Sequence, residues 1–304
     1  MKREPLYIVG PTASGKSALA IALAERTGGE VVNADAFQLY RGLEICTAKP
    51  GATDFARVPH HLYGVIDPAE LCDAQRFCDL ARTAITEIIE RGKTPILVGG
   101  SGLYIKSLTH GLAPLPTNSF LRGKLSHLTA KERIAWLLHR DINAEINVNL
   151  KNDRHVSRAL EVCLLSGQPQ SQIRQDWLQN QPQYQGVRLL WDRALLNERI
   201  DHRVQEMVRA GLVAEIATLP PLSITAEKAI GIRQIRAHLA GECSLAEAVA
   251  AIQLATRQYA RRQDKWFQRE KAFKLIEFHG ESCGDLVNQV LNFFPALKCP
   301  PDQG

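Results

Sequence analysis

The chain opens with a short apolar run, Leu6-Tyr7-Ile8-Val9, that reads as a strand. A helical pattern follows from Lys16 to about Thr27 and is stopped by Gly28-Gly29. "EVVNAD" then reads as a second strand ending at Asp35. Asp73 is placed to cap a helix running through Glu90 to Gly92, and "TPILVGG" gives a buried strand running into glycine. Strands alternating with helices predict a parallel sheet whose ligands bind at the carboxyl ends of the strands. Gly10–Ser17, Asp35 and Gly99-Gly100-Ser101 all fall at such ends, so three loops converge on one crevice. From about Pro114 the character changes. "APLPTNS" is a linker by composition, and residues 121–180 are helical, polar and strand-free until "QNQPQYQG". "VRLLWD" is a further apolar run, and helical patterns follow at 195–210, 226–240 and 244–267. The expected architecture is an α/β core formed by residues 1–115 and 186–304, with residues 116–185 as a helical insertion.

Composition narrows the class. The chain has 304 residues, 45% hydrophobic and 23% charged, which is a soluble globular balance with length for roughly two domains. No apolar stretch reaches the about 18 residues that a membrane span needs. The first strand begins by residue 6, which leaves no room for a signal peptide. Seven scattered cysteines without a CxxC pair argue against a disulfide framework or zinc site and for a reducing cytoplasm. The net charge of +5 is localised. Between Leu254 and Lys274 stand seven basic residues against Asp264 and Glu270, and seven minus two equals the whole excess. Such a patch points to a polyanionic partner.

The candidate chemistry begins at "GPTASGKS", residues Gly10, Pro11, Thr12, Ala13, Ser14, Gly15, Lys16 and Ser17. It fills every fixed position of a phosphate loop: backbone N–H groups wrap an anion, Lys16 adds charge, and Ser17 offers a hydroxyl to Mg²⁺. The motif reports phosphates, with a nucleoside triphosphate as the default occupant. Asp35 is either a turn residue or a general base facing that loop. Ser101 is either a helix cap or a hydroxyl that positions a nucleophile. Arg199 and Arg203 share a helix face, as do Arg154 and Arg158, and either pair is a solvated surface pair or a phosphate clamp. Arg257, Arg261, Lys265 and Arg269 recur every fourth residue with Tyr259, Trp266 and Phe267 interleaved, a basic and aromatic face suited to nucleic acid. His60-His61 is structural, because neighbours in extended chain point to opposite faces.

In combination these residues resemble the tRNA dimethylallyltransferase (tRNA isopentenyltransferase) family over nearly the whole length. The resemblance rests on "GPTASGKS", "DAFQLYRGLEICTAKP", "VPHHL", "GGSGLYIKSLTHGLAPLP", "RALEV", "RIDHRVQEMVRAGLVAEI", "KAIGIRQ" and "TRQYARRQ", in that order. It implies a P-loop NTPase-like sheet, an inserted all-helical tRNA-binding domain, and transfer of the dimethylallyl group of dimethylallyl diphosphate to N6 of adenosine 37. In that family the phosphate loop, although of the nucleotide- and ATP-binding type, holds a diphosphate that departs with help from Mg²⁺. Asp35, Ser101 and Arg203 are then the expected catalytic set. Expected tRNA contacts are Asp35, Ala36, Phe37, Gln38, Ser101, Arg122, Arg154, His155, Arg158, Lys228, Ile230, Gly231, Arg233, Arg257, Arg261 and Lys265. The implied protein is a cytoplasmic monomer. Departures from the family pattern are Ala36 for Ser, Ser101 for Thr, Cys46 for Gly, Arg154-His155 for Gln-Arg, Ile232 for Tyr, and "PTNS" without an acidic residue. Two other readings use the same residues: a small-molecule kinase with Asp35 as base, and an RNA-binding protein without catalysis.

Overall fold

A computed structural model describes residues 3–111, 115–179 and 184–298, with the side chain of Leu178 left out. Part of the expected linker (112–114), residues 180–183 of "QNQPQYQG" and Cys299 lie outside the described residues. In chain order the elements begin with β1 (Leu6–Val9), α1 (Lys16–Thr27), β2 (Glu30–Asn33), α2 (Ala52–Arg57), β3 (His60–His61), α3 (Ala74–Glu90), β4 (Pro95–Gly99) and α4 (Gly102–Thr109). Five helices follow: α5 (Ser119–Leu125), α6 (Ala130–Arg140), α7 (Ala144–Asn147), α8 (Asp153–Ser166) and α9 (Gln170–Gln179). The chain then forms β5 (Gln185–Trp191), α10 (Arg193–Arg209), α11 (Leu212–Ala217), α12 (Ile232–Leu239), α13 (Leu245–Phe267), β6 (Lys274–Phe278) and α14 (Cys283–Phe293).

The six strands form one sheet in the order β3-β2-β4-β1-β5-β6, and every pairing is parallel. β1, β2 and β4 are buried at every residue, as strands covered by helices on both faces must be. Alternate residues of β1 point to opposite faces. Leu6 and Ile8 pack with Leu19 and Leu23 of α1 and Val287 and Val290 of α14, whereas Tyr7 and Val9 join Phe77, Ile232, Ile252 and Phe267. α1 ends where Gly28 takes the left-handed conformation at φ +64°, and Asp73 caps α3 by accepting the N–H of Arg76.

Three elements depart from the pattern of the sequence. The segment at 226–240 is not one helix: a 3₁₀ turn at Ala226–Lys228 gives way at Gly231, φ +111°, before α12 begins. β6 was hidden behind the basic run, because an edge strand with Lys274, Leu275 and Glu277 exposed lacks a continuous apolar signature. The short helix α2 carries no buried residue and so leaves no amphipathic trace.

The chain divides into two compact units, Met1–Leu108 with Gln183–Gly304, and Thr109–Pro182. These bounds lie a few residues before the 116 and 185 read from composition. At the far end the reason is pairing: Gln185 is already in register with Leu6 of β1. The helical unit has its own core of Leu125, Leu137, Ala144, Val156, Ala159, Leu160 and Cys163. Its polar centre is Glu161, which is fully buried. The carboxylate accepts the N–H of Asn118 (2.7 Å) and the guanidiniums of Arg158 (2.7 Å) and Arg122 (3.2 Å). Burial pushes Glu161 upward, but these donors together hold it below the usual carboxylate range. Arg158 also donates to the carbonyls of Pro116 and Leu115. Replacing Glu161 by Ala leaves two guanidiniums without their anion. It should destabilise the helical unit by about 2–4 kcal/mol, read as faster amide exchange in α5 and α8 with β1 and β4 unchanged.

Candidate active site

The loop Gly10–Ser17 turns between β1 and α1 in conformations that side chains resist. Gly10 sits at φ +150°, Gly15 at +84° and Ala13, less commonly for a residue with a side chain, at +62°. At Gly10 a Cβ would also stand 2.9 Å from the carbonyl oxygen of Leu189 on β5. Two outer carbonyls of the loop are held from elsewhere. Trp191 Nε1 donates to the carbonyl of Ser14 (3.0 Å), and Arg199 Nε to that of Ala13 (3.0 Å). The Arg199 guanidinium lies 4.5 Å from the Trp191 ring centre, and Trp191 stacks on Phe278 at 3.8 Å. Lys16 Nζ folds back onto the carbonyl of Pro11 (2.5 Å). Burial lowers Lys16 to about 7 against the opposing charge of Asp35, and Arg203 pushes it further down. Ser17 is exposed at the start of α1, while the buried hydroxyl of Ser14 has no hydrogen-bond partner among the described residues.

β2 ends at Asn33 rather than at Asp35 because the Asn33 side chain takes over the backbone. Its Oδ1 accepts the Asp35 N–H (2.8 Å), and its Nδ2 donates to the carbonyls of Asp35 (3.1 Å) and Leu62 (2.9 Å). Asp35 is then a turn residue in part, since Oδ1 accepts the N–H of Phe37 (3.0 Å). The Ser101 hydroxyl accepts the N–H of Ala36 (2.9 Å) and is also in polar contact with Tyr259. The glycines around Ser101 are set by contact. A Cβ at Gly99 would lie 2.2 Å from the carbonyl oxygen of Ala34, at Gly100 2.0 Å from Gln263 Nε2, and at Gly102 2.2 Å from Trp266.

The opposite wall comes from α10 to α13. Arg203 is held below the usual guanidinium range by burial, against the charge of Asp35, and donates to the carbonyl of Ala48 (3.4 Å). It lines two adjoining cavities. One is polar, bordered by Lys16, Ser17, Arg199 and His202; the other holds Thr12, Asp35 and Tyr259 among Ile200, Val204, Met207 and Ile252. The 44–49 segment between them is pinned from three sides. Glu215 accepts the N–H groups of Glu44, Ile45 and Cys46 (3.0, 2.6 and 2.9 Å), Gln38 donates to the carbonyls of Thr47 and Ala48, and Lys49 donates to that of Tyr40. Tyr259 on α13 is pushed up by burial and by the charge of Asp35, against polar contacts with Ser101 and Gln263.

A loop of the phosphate-binding pattern, a carboxylate, a hydroxyl and a half-buried guanidinium at the carboxyl ends of the strands narrow the choice, and comparison with known proteins makes it. A family model described as IPP transferase matches residues 38–270. The chain belongs to the IPP transferase family. The tRNA dimethylallyltransferase of Geobacter metallireducens is 41% identical over 96% of this chain and 98% of its own, and that of Geobacter sulfurreducens 43% identical over 91% and 93%. The full-length tRNA isopentenylpyrophosphate transferase of Bacillus halodurans superposes with a TM-score of 0.71 at 32% identity, covering 97% of both chains. A eukaryotic dimethylallyltransferase acting on tRNA, 24% identical, shares the fold at a TM-score of 0.75 over 99% of this chain and 81% of that one.

In this IPP transferase the expected site residues take different parts. Gly10–Ser17, Asp35, Phe37, Ser101 and Arg203 gather at the strand ends, and Ile230 lines the apolar cavity beside them. Gln38 is buried as a backbone brace. Gly231 supplies the left-handed turn before α12, with Lys228 and Arg233 exposed on either side of it. On α13, Arg261 and Lys265 are exposed, but Arg257 is bound to Asp201 (2.5 and 2.7 Å). In the helical unit Arg154 and His155 are exposed, whereas Arg158 and Arg122 are engaged by Glu161. His60 and His61 meet Val58 and Glu30, as a structural role requires. Sequence reasoning missed Asn33, Trp191 and Gln263, whose types carry no chemical signature until the fold brings them to the loops; Tyr259 was seen only as part of the basic face.

The state of Lys16 gives the cleft a measurable property. An anion at the loop favours the charged ammonium, so binding above pH 7 must take up a proton, while below pH 7 Lys16 is already charged. Affinity for inorganic diphosphate should therefore fall up to about tenfold per pH unit above 7. Calorimetry at pH 8 in buffers of different ionisation heat should register proton uptake that Lys16→Met abolishes.

Proposed function

We propose that this protein transfers the dimethylallyl group of dimethylallyl diphosphate to N6 of adenosine 37 in tRNA, releasing diphosphate. The observation that carries the reading is Arg203, which borders both the phosphate-loop cavity and the apolar cavity holding Asp35. A diphosphate in the first cavity places its carbon group toward the second, and relatives named tRNA dimethylallyltransferase supply the donor and acceptor. The exocyclic amine of adenine is a weak nucleophile because its lone pair is delocalised into the ring. As nitrogen bonds to carbon, the carbon–oxygen bond breaks with its electron pair on the diphosphate. Asp35 accepts a proton from the amine, Ser101 orients it, and Lys16 and Arg203 neutralise the charge that gathers on the leaving group.

The donor set near the loop suits Mg²⁺. No group of three or more His, Cys, Asp or Glu side chains able to hold a metal occurs among the described residues, so a tight protein-made metal cage is absent there. Ser17 offers a hard oxygen at the loop, and Mg²⁺ commonly keeps waters and binds through substrate phosphates. When bound, Mg²⁺ supplies positive charge beside the diphosphate. On this reading ATP is neither donor nor appreciably hydrolysed. The adenosine leaves its stack to reach the cleft, the helical unit and the exposed Arg261 and Lys265 engage the RNA backbone, and the protein works as a cytoplasmic monomer. No helix among the described residues is long and apolar enough to cross a membrane.

Incubation with radiolabelled dimethylallyl diphosphate, Mg²⁺ and unmodified tRNA should place label in the RNA. ATP turnover without tRNA and without prenyl transfer would instead identify a kinase. Asp35→Ala should lower the single-turnover rate by roughly 10²–10⁴ with RNA affinity nearly unchanged; a near-normal rate would leave Asp35 as a turn residue only. Replacing Arg261 and Lys265 with Gln should weaken tRNA binding. It should also flatten the slope of log affinity against log salt by about 0.7–0.9 for each phosphate that is no longer neutralised, with affinity for dimethylallyl diphosphate unchanged.

A further inference from the structure

Resting on that reading, we infer that Gln263 is a positioning residue that fixes the separation between the diphosphate loop and the loop carrying Ser101. β1 and β4 are neighbours with Val9 in register with Gly99, and beyond that point they diverge into the two loops. Gln263 spans the fork. Its Oε1 accepts the N–H of Thr12 (2.8 Å) and its Nε2 donates to the carbonyl of Gly100 (3.0 Å). The side chain is 5% exposed, and a Cβ at Gly100 would stand 2.0 Å from Nε2, so the amide occupies space that the glycine leaves.

Holding α13 in place does not require this amide. The helix is docked by Ala248, Ile252 and Phe267 in the core and by the pair of Arg257 with Asp201. An apolar side chain of similar shape would release one N–H and one carbonyl but keep the packing, and paired polar groups contribute modestly to net stability. What an apolar residue cannot do is couple the two backbones. One loop holds the leaving group and hence the reacting carbon; the other holds, through Ser101 and the adjoining Ala36, the position of the amine and of Asp35. Transfer needs the nitrogen within bonding approach of the carbon while the carbon–oxygen bond breaks. If the loops drift apart, water takes the nitrogen's place: its oxygen bonds to the same carbon, the same carbon–oxygen bond breaks toward diphosphate, and the water proton passes to solvent. The product is then dimethylallyl alcohol.

The test compares wild-type enzyme with Gln263→Leu and Gln263→Glu, following prenyl-tRNA, dimethylallyl alcohol and thermal unfolding together. Glu keeps an acceptor for Thr12 and, assayed beside wild type at a pH high enough to ionise it, turns a second oxygen toward the Gly100 carbonyl. Both variants should lose about 10–100-fold in single-turnover transfer, with KM for dimethylallyl diphosphate within about threefold. Both should also raise the yield of alcohol per prenyl-tRNA. Transfer per folded molecule within about threefold of wild type, without added alcohol, overturns the assignment, as does a defect confined to KM. Should Leu not fold, the Glu variant alone decides by the same criteria. A wild-type enzyme that prenylates no tRNA overturns the proposed function itself, and this inference with it.

Discussion

The closest constraint in this molecule is steric: where the central strands end, backbone touches backbone and side chain with no room for a Cβ. Gly99 passes Ala34 and Gly10 passes Leu189 closely enough that any side chain would overlap a carbonyl oxygen, at 2.2 and 2.9 Å. That closeness keeps the ends of β1, β2 and β4 within one short arc, so loops far apart in sequence open on a common cleft. A parallel sheet aims its strand ends in one direction, and α1 starts there with its free N–H groups. The cleft is thus a consequence of packing before it is a consequence of charge.

Charge then completes it. Lys16 and Arg203 are both depressed by burial, each opposed by Asp35, and Asp35 itself gives one oxygen to the turn at Phe37. Two half-buried cations facing one partly engaged carboxylate form an arrangement that an anion improves. Because Trp191, Arg199 and Gln263 already fix the loop, the anion has little backbone to reorganise, which is the condition under which fixed charges stabilise a departing group most.

Much of this was legible in residues 1–115, where short apolar runs, glycine stops and the phosphate loop are local signals. Asp35 was legible as lying beside the Gly10–Ser17 loop but was read as the strand's end, which is Asn33, because only Asn33 bonding across to Leu62 shows where the ladder stops. Arg122 and Arg158 looked like candidates for RNA because their partner, Glu161, sits in an apolar stretch that reads simply as helix core. Gln263 was least visible. In sequence it is one more polar residue in a basic helix, and its burial is decided by Gly100, more than a hundred residues away.

α13 shows how a charge count can hold for a different reason than the sequence suggests. The segment from Leu254 to Lys274 carries seven cations and two anions. In the fold Arg257 is neutralised by Asp201, which leaves six of the seven cations. The two anions are engaged as well, by cations outside the segment: Asp264 by Arg188 and Glu270 by Lys106. They no longer offset their neighbours, so the segment stays at least as basic as its sequence implies. Meanwhile Tyr259, Gln263 and Trp266, spaced four and three residues apart, share the face that meets the Ser101 loop, and Arg261 and Lys265 stand on an exposed one. One helix therefore carries both a cationic outer surface and the side chains that shape the cleft. It can do so because Arg257 and Asp264 both find their ion-pair partners on other elements, α10 and β5, and leave the outer face to its cations.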